Sequence, residues 1–381
     1  MQYFSSTFRL GILGGGQLGK MLLYETRKWD IYTKVLDPAA DAPCRMSCNE
    51  FVQGDLLDYD TVVAFGTGLD LITIEIENVN VAALKALKHQ GVKVFPEPEA
   101  LEVIRNKVRQ KQFYYDQGLP TAEFKTYPSK QALLNASLTF PCVWKSAEFG
   151  YDGKGVSVLN NLNDLHDLPD TPCLIEEKIN FTQELAVIVA RNTKGEVATY
   201  PVVGMDFHPT ANQVEYVVCP ADLSDTLAEK AKEIAIKVSN ALNITGLLAV
   251  ELFIDEHHNI LVNEVAPRPH NSGHYSIEAS YTNQFEQHLR AILGLPLGNT
   301  DSKAVGIMVN LVGAESYYGP VVYENIEKAL ALKGVSVHIY GKSETRPFRK
   351  MGHVTVVDTD RNSAYQKAKT VKETLIVKSH G

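Results

Sequence analysis

Two glutamates separated by a short loop raise the first chemical question. Val250-Glu251-Leu252-Phe253-Ile254-Asp255 and Ile260-Leu261-Val262-Asn263-Glu264-Val265 read as strands joined by Glu256-His257-His258-Asn259. If that loop closes a regular antiparallel hairpin with Asp255 opposite Ile260, Glu251 stands directly opposite Glu264. Opposed side chains have Cβ atoms about 4.5–5.5 Å apart, and like charges there repel unless something positive lies between them. Mg²⁺ is the favoured occupant, because it takes carboxylates together with phosphate oxygens and water. A protonated or solvent-directed carboxylate and a salt bridge to lysine are the alternatives.

A glycine-rich run lies upstream, Phe149-Gly150-Tyr151-Asp152-Gly153-Lys154-Gly155, between two strand-like segments. Closely spaced glycines expose backbone N–H groups and let a loop close over a triphosphate. No G-K-[ST] opens a helix, so this is not a Walker A loop. Lys145 ends the preceding strand, in Val143-Trp144-Lys145, where it can reach phosphates as a point charge. A plain β-hairpin with surface lysines is the alternative.

A second glycine cluster, Gly14-Gly15-Gly16-Gln17-Leu18-Gly19, follows a predicted strand and opens a predicted helix, and Asp37 closes the next strand. That matches a dinucleotide fingerprint with its ribose-binding acid. The physical content is broader: a helix N-terminus attracts any anion, so a substrate phosphate or carboxylate fits equally, as does a ligand-free tight turn.

These groups need a scaffold. Short apolar runs alternate with helical patterns over the first hundred residues: strand Arg9–Leu13, a helix from about Gln17, strands Lys34–Asp37 and Leu71–Ile74, helix Val81–His89 and strand Val92–Phe95. This βαβ rhythm predicts a parallel sheet. A helix is expected from about Glu99 to Gly118. Strands follow at Phe124–Tyr127, Cys142–Lys145 and Leu174–Glu177, then near Glu184–Ala190 and Val197–Val203. Leu223, Leu227, Ala231, Ile234, Val238 and Leu242 keep the helical period over Asp222–Leu242. Strands Val305–Leu311, Val335–Tyr340 and His353–Val357 suggest a small α+β unit at the end.

The 381 residues are 45% hydrophobic and 22% charged, an ordinary globular balance. A net charge of −8 argues against non-specific nucleic-acid binding. The five cysteines, scattered and odd in number, favour free thiols in a reducing compartment. No stretch approaches the ~20 apolar residues of a membrane span, and the N-terminus lacks a leader-like core. A cytoplasmic protein without membrane contact is expected.

The glycine loop, the preceding lysine and the paired hairpin carboxylates together resemble the ATP-grasp superfamily. The run Asn263-Glu264-Val265-Ala266-Pro267-Arg268-Pro269-His270-Asn271-Ser272-Gly273-His274, with GGGQLGKM before it and GYDGKG between, narrows the resemblance. It points to the N5-carboxyaminoimidazole ribonucleotide synthetases, the ATPase-subunit type of phosphoribosylaminoimidazole carboxylase. The likeness runs from Gly14 to the HIYGKSE and RKMGH segments.

The resemblance implies an α/β and α+β architecture: a Rossmann-like pre-ATP-grasp domain over 1–104, a lid subdomain with its connecting helix over 105–182, a catalytic subdomain over 183–300 and a small C-terminal domain over 301–381. It implies that ATP carboxylates 5-aminoimidazole ribonucleotide (AIR) with bicarbonate through carboxyphosphate, which yields CO₂ held in the site, leaving ADP and phosphate in purine biosynthesis. Lys107 and Lys145 would hold ATP phosphates, Gly150, Tyr151, Asp152, Gly153, Lys154 and Gly155 would form the closing loop, and Glu176, Glu177, Lys178 and Ile179 would line adenine. Glu184 would bind the ribose, with His208 and Asn263 beside the nucleotide. Glu251 and Glu264 would hold Mg²⁺, with Mn²⁺ as its substitute.

On the acceptor side, Arg268 suits bicarbonate, because its planar fork matches a planar oxyanion. His270 would orient or deprotonate the amine. Asn271, Lys342, Arg349 and Lys350 would bind the substrate nucleotide, with Gly16, Gln17, Leu18, Glu75, Tyr151 and Asp152 facing the same ligand. A homodimer is implied, and the N5-carboxyaminoimidazole ribonucleotide mutase of the pathway would be a separate protein. Two departures stand out. Asn106-Lys107 replaces the family's Asp-Arg, and Ala266 stands where many ATP-grasp enzymes carry a metal-binding asparagine. Another ATP-grasp ligase, such as glycinamide ribonucleotide synthetase or a formate-dependent transformylase, is the nearest alternative. A non-catalytic nucleotide sensor and a nicotinamide dehydrogenase explain fewer residues.

Overall fold

The computed structural model describes residues 3–148, 155–208, 211 and 213–380. Its first unit is a parallel sheet of β1 (Arg9–Leu13), β2 (Tyr32–Asp37), β3 (Glu50–Gln53), β4 (Leu71–Ile74) and β5 (Lys93–Val94), ordered β3-β2-β1-β4-β5. Leu10, Ile12, Leu71 and Ile72 are fully buried, as in a sheet covered on both faces. β3 and the helix Tyr59–Gly66 carry little sequence signal, since β3 is a four-residue edge strand with no fully buried residue.

The helix expected over Glu99–Gly118 is two helices, Pro98–Ile104 and Lys107–Asp116. Asn106 makes the break: its side chain accepts the Arg109 N–H at 3.0 Å and caps the second helix. Next comes a four-stranded antiparallel sheet of β6 (Phe124–Tyr127), β7 (Cys142–Ser146), β8 (Val156–Leu159) and β9 (Cys173–Glu177), ordered β6-β9-β7-β8.

The remaining chain builds one large sheet and one small one from β10 (Phe181–Arg191), β11 (Val197–Thr199), β12 (Val203–Phe207), β13 (Val214–Cys219), β14 (Gly246–Asp255), β15 (Ile260–Ala266), β16 (Val305–Val312), β17 (Gly319–Glu324), β18 (Val335–Ile339), β19 (Glu344–Thr345), β20 (Lys350–Asp358) and β21 (Ile376–Ser379). The large sheet runs β15-β14-β10-β12-β13-β16-β20-β18, with β11 beside β10. It continues from the carboxylate hairpin into the C-terminal segment, so one hydrogen-bonded layer carries both. The helix Asp225–Leu242, capped by Ser224, presses Ala231, Ile234, Val238 and Leu242 onto Leu185, Val187, Leu248 and Val250. All five cysteines are free. Among the described residues no helix is long and apolar enough to cross a membrane.

One buried side chain ties the parallel sheet to the catalytic one. His288, on the helix Gln284–Ile292, accepts the Leu247 N–H on Nδ1 at 3.3 Å, so its Nε2–H faces Thr73 Oγ1 of β4 at 2.8 Å. Burial pushes its pKa down to about 3. The folded protein therefore refuses a proton that the unfolded chain binds below about pH 6.5, its unperturbed value. The stability that His288 contributes is complete above that pH and is lost as the pH falls toward 3. We predict that His288→Leu, which strands Leu247 N–H and Thr73 Oγ1, lowers unfolding stability by about 2 kcal/mol at pH 7.5 in denaturant titrations. The gap to wild type narrows at pH 5. A constant gap would refute the assignment.

Candidate active site

Glu251 and Glu264 face each other across β14 and β15, but not through a regular hairpin. The hairpin closes one residue inside the expected register, with Ile254 opposite Ile260 and His258 in a left-handed conformation at φ 59°. The register is restored between Glu251 and Leu252, where Asn263 is the extra residue of a β-bulge. A bulge re-aims side chains that a straight strand would send to opposite faces. Here Asn263 Oδ1 accepts from Lys145 Nζ at 3.0 Å, while the neighbouring Glu264 pairs with Lys107. Two consecutive residues thus serve one cleft.

The charges of the cleft are balanced locally. Lys107 begins the helix that Asn106 caps, and its ammonium sits on Glu264. An amide caps as well as a carboxylate, so the Asn-Lys departure keeps both the helix start and the cation. The Glu264 carboxyl is held well below the usual range, chiefly by Lys107. Burial, then the charge of Glu264, drives the Glu251 carboxyl up. Burial and Glu264 likewise raise Glu184, on neighbouring β10, to about 7. Glu264 is thus paired with a lysine and Glu251 has a raised proton affinity. Among the described residues no group of three or more His, Cys, Asp or Glu forms a metal-sized cluster. Two opposed carboxylates fit an ion whose other ligands are phosphate and water.

Lys145 and Glu176 belong to a charged triad whose third member, Lys111, has no sequence assignment. The buried Glu176 carboxylate of β9 takes Lys145 on one oxygen at 2.8 Å and Lys111 on the other at 2.9 Å. Its side chain is committed to these lysines, so an adenine contact from this residue falls to its backbone. Lys111 also donates to Thr121 Oγ1, which donates to the Val262 carbonyl at 2.8 Å. Burial lowers Lys111 to about 8 against the pull of Glu176. Its sequence signal is its place one helical turn after Lys107, on the same face. Glu177 gives its N–H to the Glu123 carbonyl, and Lys178 and Ile179 follow the end of β9.

The acceptor half begins directly after β15. Arg268 Nε lies 2.8 Å from Glu77 of the first unit, a partner not foreseen from sequence. His270 Nε2 lies 3.5 Å from Glu251, and Nδ1 accepts the Ser272 N–H at 3.3 Å. Asn271 exchanges amide hydrogen bonds with Asn310 of β16, 2.9 Å each way. Lys342 donates to the Lys350 carbonyl at 2.7 Å, and Arg349 to the Glu344 carbonyl, which fixes the turn carrying all three cations. His208 packs edge-on against Phe348, with Glu215 at 4.0 Å.

The first glycine turn binds anions, but its own. Asp37 accepts the Gly15 N–H at 2.7 Å and Glu75 accepts the Gly19 N–H at 2.8 Å. A Cβ on Gly14 would stand 2.4 Å from Glu75 Cγ, and one on Gly16 would stand 2.6 Å from Glu75 Oε1. The acid of the dinucleotide fingerprint is thereby committed to the turn, which corrects that reading. Gln17 starts the helix, and the Leu18 side chain lies in the core with Met21 and Leu22. Gly150, Tyr151, Asp152, Gly153 and Lys154 lie outside the described residues. Gly155 has φ 74° and accepts the Ser146 N–H at 2.8 Å.

Three family models match in succession: a ribonucleotide synthetase preATP-grasp domain over residues 7–105, an ATP-grasp domain over 112–285 and a phosphoribosylaminoimidazole carboxylase C-terminal domain over 306–367. The chain is 37% identical over 353 residues to an N5-carboxyaminoimidazole ribonucleotide synthase of Bacillus subtilis, spanning 91% of this chain and 90% of that one. It matches the crystal structure of N5-carboxyaminoimidazole ribonucleotide synthetase from Thermotoga maritima with a TM-score of 0.90 and 42% identity, over 98% and 100% of the two chains. A TM-score of 0.87 and 32% identity relate it to the N5-carboxyaminoimidazole synthase of Aspergillus clavatus in complex with ADP and 5-aminoimidazole ribonucleotide, over 96% and 98%. Matched in sequence, in fold and in the order of its domains, the chain belongs to the N5-carboxyaminoimidazole ribonucleotide synthase family of ATP-grasp ligases.

Proposed function

We infer that the chain carboxylates the exocyclic amine of AIR with bicarbonate, hydrolysing ATP to ADP and phosphate. The observation that carries this is the continuity of residues 262–275. At one end Asn263 and Glu264 meet Lys145 and Lys107; at the other His270 lies 3.5 Å from Glu251, with Arg268 two residues before it paired to Glu77.

On the nucleotide side, Lys107 and Lys145 hold ATP phosphates, residues 176–179 line adenine with backbone groups, and Glu184 takes the ribose hydroxyls. Glu251 and Glu264 hold Mg²⁺, an assignment supported by their opposition across the hairpin and by the raised proton affinity of Glu251. When bound, the ion neutralises charge on the transferred phosphoryl group. On the acceptor side, Arg268 grips bicarbonate, a planar oxyanion that matches its planar fork. Nδ1 of His270 accepts the Ser272 N–H, which leaves Nε2 as the donor that orients the reacting groups. Lys342, Arg349 and Lys350 hold the AIR phosphate, with Glu75 toward its sugar. We also propose a homodimer in the cytoplasm whose product passes to a separate mutase.

Three outcomes test this. Phosphate release should rise when AIR is added and should consume bicarbonate; dependence on formate, or on glycine with phosphoribosylamine, would overturn the reading. Glu264→Gln should bring turnover below detection while far-UV circular dichroism stays unchanged, and near-normal turnover would remove the metal assignment. Arg268→Lys should cut carboxylation about 100-fold, comparable to losing one oxyanion donor, with the KM for ATP unchanged. Unaltered carboxylation would count against the bicarbonate role.

A further inference from the structure

Gln284, the first residue of its helix, is fully buried. Its side-chain amide lies against the main chain of His270: Oε1 accepts the His270 N–H at 2.8 Å and Nε2 donates to the His270 carbonyl at 2.8 Å. The same Nε2 donates to His274 Nδ1 at 3.0 Å. The Gln284 N–H goes to Ser276 Oγ at 3.0 Å, and that hydroxyl donates to the Gly273 carbonyl at 2.6 Å. One residue of the helix thus gathers the loop from His270 to Ser276.

The main chain dictates how the amide is turned. A backbone N–H only donates and a carbonyl only accepts, so Oε1 faces the first and Nε2 the second. The remaining amide hydrogen then meets His274 Nδ1, which must accept, leaving the His274 proton on Nε2. A buried amide with both hydrogens and its oxygen engaged holds its geometry tightly, because leaving any one unpaired is costly. Gly273 makes room for it: a Cβ there would stand 2.5 Å from Gln284 Oε1 and 2.3 Å from Ile188 Cδ1. Pro269 restricts the backbone between His270 and Arg268. Arg268 is held from the far side by Glu77. The segment 268–270 is therefore pinned at both ends.

We propose that Gln284 is a positioning residue for the carboxylation half-reaction. It holds the His270 peptide so that Arg268 and His270 meet the nucleotide half in register. The inference rests on the function proposed above. It is tested on the full-length protein with Gln284→Glu, which keeps shape and oxygen but loses both donors, and Gln284→Met, which loses all three groups. Ser276→Ala is the control, since it removes hydrogen bonds of the same cluster and leaves the amide–backbone pair intact. Both Gln284 variants should lose about 10- to 100-fold in kcat for carboxylation, the range expected for a misplacement near 1 Å. Their KM for ATP should stay unchanged, and phosphate released per carboxylated product should rise above unity. Ser276→Ala should melt earlier yet keep that ratio.

Normal kcat and ratio in folded Gln284 variants, or the same uncoupling in Ser276→Ala, would overturn the proposal. Should Gln284→Met not fold, Gln284→Glu decides. Independently of any variant, ¹⁵N histidine spectra of the wild-type protein should show His274 protonated on Nε2, and a proton on Nδ1 would also overturn it. Absence of carboxylated product from the wild type would instead remove the proposed function, and the histidine spectrum would still decide the clamp.

Discussion

The structure is organised around two glutamates that the hairpin forces together. Two unit charges about 4 Å apart repel by about 4 kcal/mol at an effective dielectric of about 20, so a cleft that keeps both must supply cations. Lys107 answers Glu264 directly. Lys145 reaches the bulged Asn263 and is steadied by Glu176, whose other oxygen Lys111 occupies. The four-stranded sheet, the connecting helix and the catalytic hairpin are thereby joined through one chain of charges. Glu176 and Glu264 are each met by lysine, so neither is left as an unpaired buried charge.

The acceptor half is held by different means. Its supports are neutral and buried: the Gln284 amide, Ser276, and His274 stacked on His353, which stacks in turn on His338 at centroid distances of 4.6 and 4.4 Å. Burial keeps His274 and His353 well below the ordinary histidine range, so they pack as uncharged rings. These residues come from the loop after β15 and from β18 and β20, so the half-site is assembled where the C-terminal strands meet the catalytic unit. Arg268, reaching to Glu77, adds the first unit to the same junction.

The N-terminal glycine turn shows why a fingerprint needs its surroundings. Its N–H groups do meet carboxylates, as the physics of a helix start requires, but Asp37 and Glu75 supply them from within. The turn thus holds Asp37 and Glu75 by its own N–H groups.

Much was determined by sequence alone. Periodicity identified β1, β4, the helix Asp225–Leu242 and both strands of the carboxylate hairpin, because each buries one regular face or a continuous apolar run. The opposition of Glu251 and Glu264 followed from counting, although the count assumed a regular hairpin and the structure reaches the same pairing through a tighter turn and a compensating bulge. The family resemblance singled out Lys145, Asn263, Arg268 and His270, and Lys107 as a departure from its pattern. Only the tertiary structure decided the rest. Lys111, Glu77 and Gln284 act on residues far away in the chain or across sheets, and Asn271 pairs its amide with Asn310. Local pattern reports which face of an element is apolar; it carries no record of which buried charge or amide another element will deliver against it. That information exists only once the strands pair and the loops close.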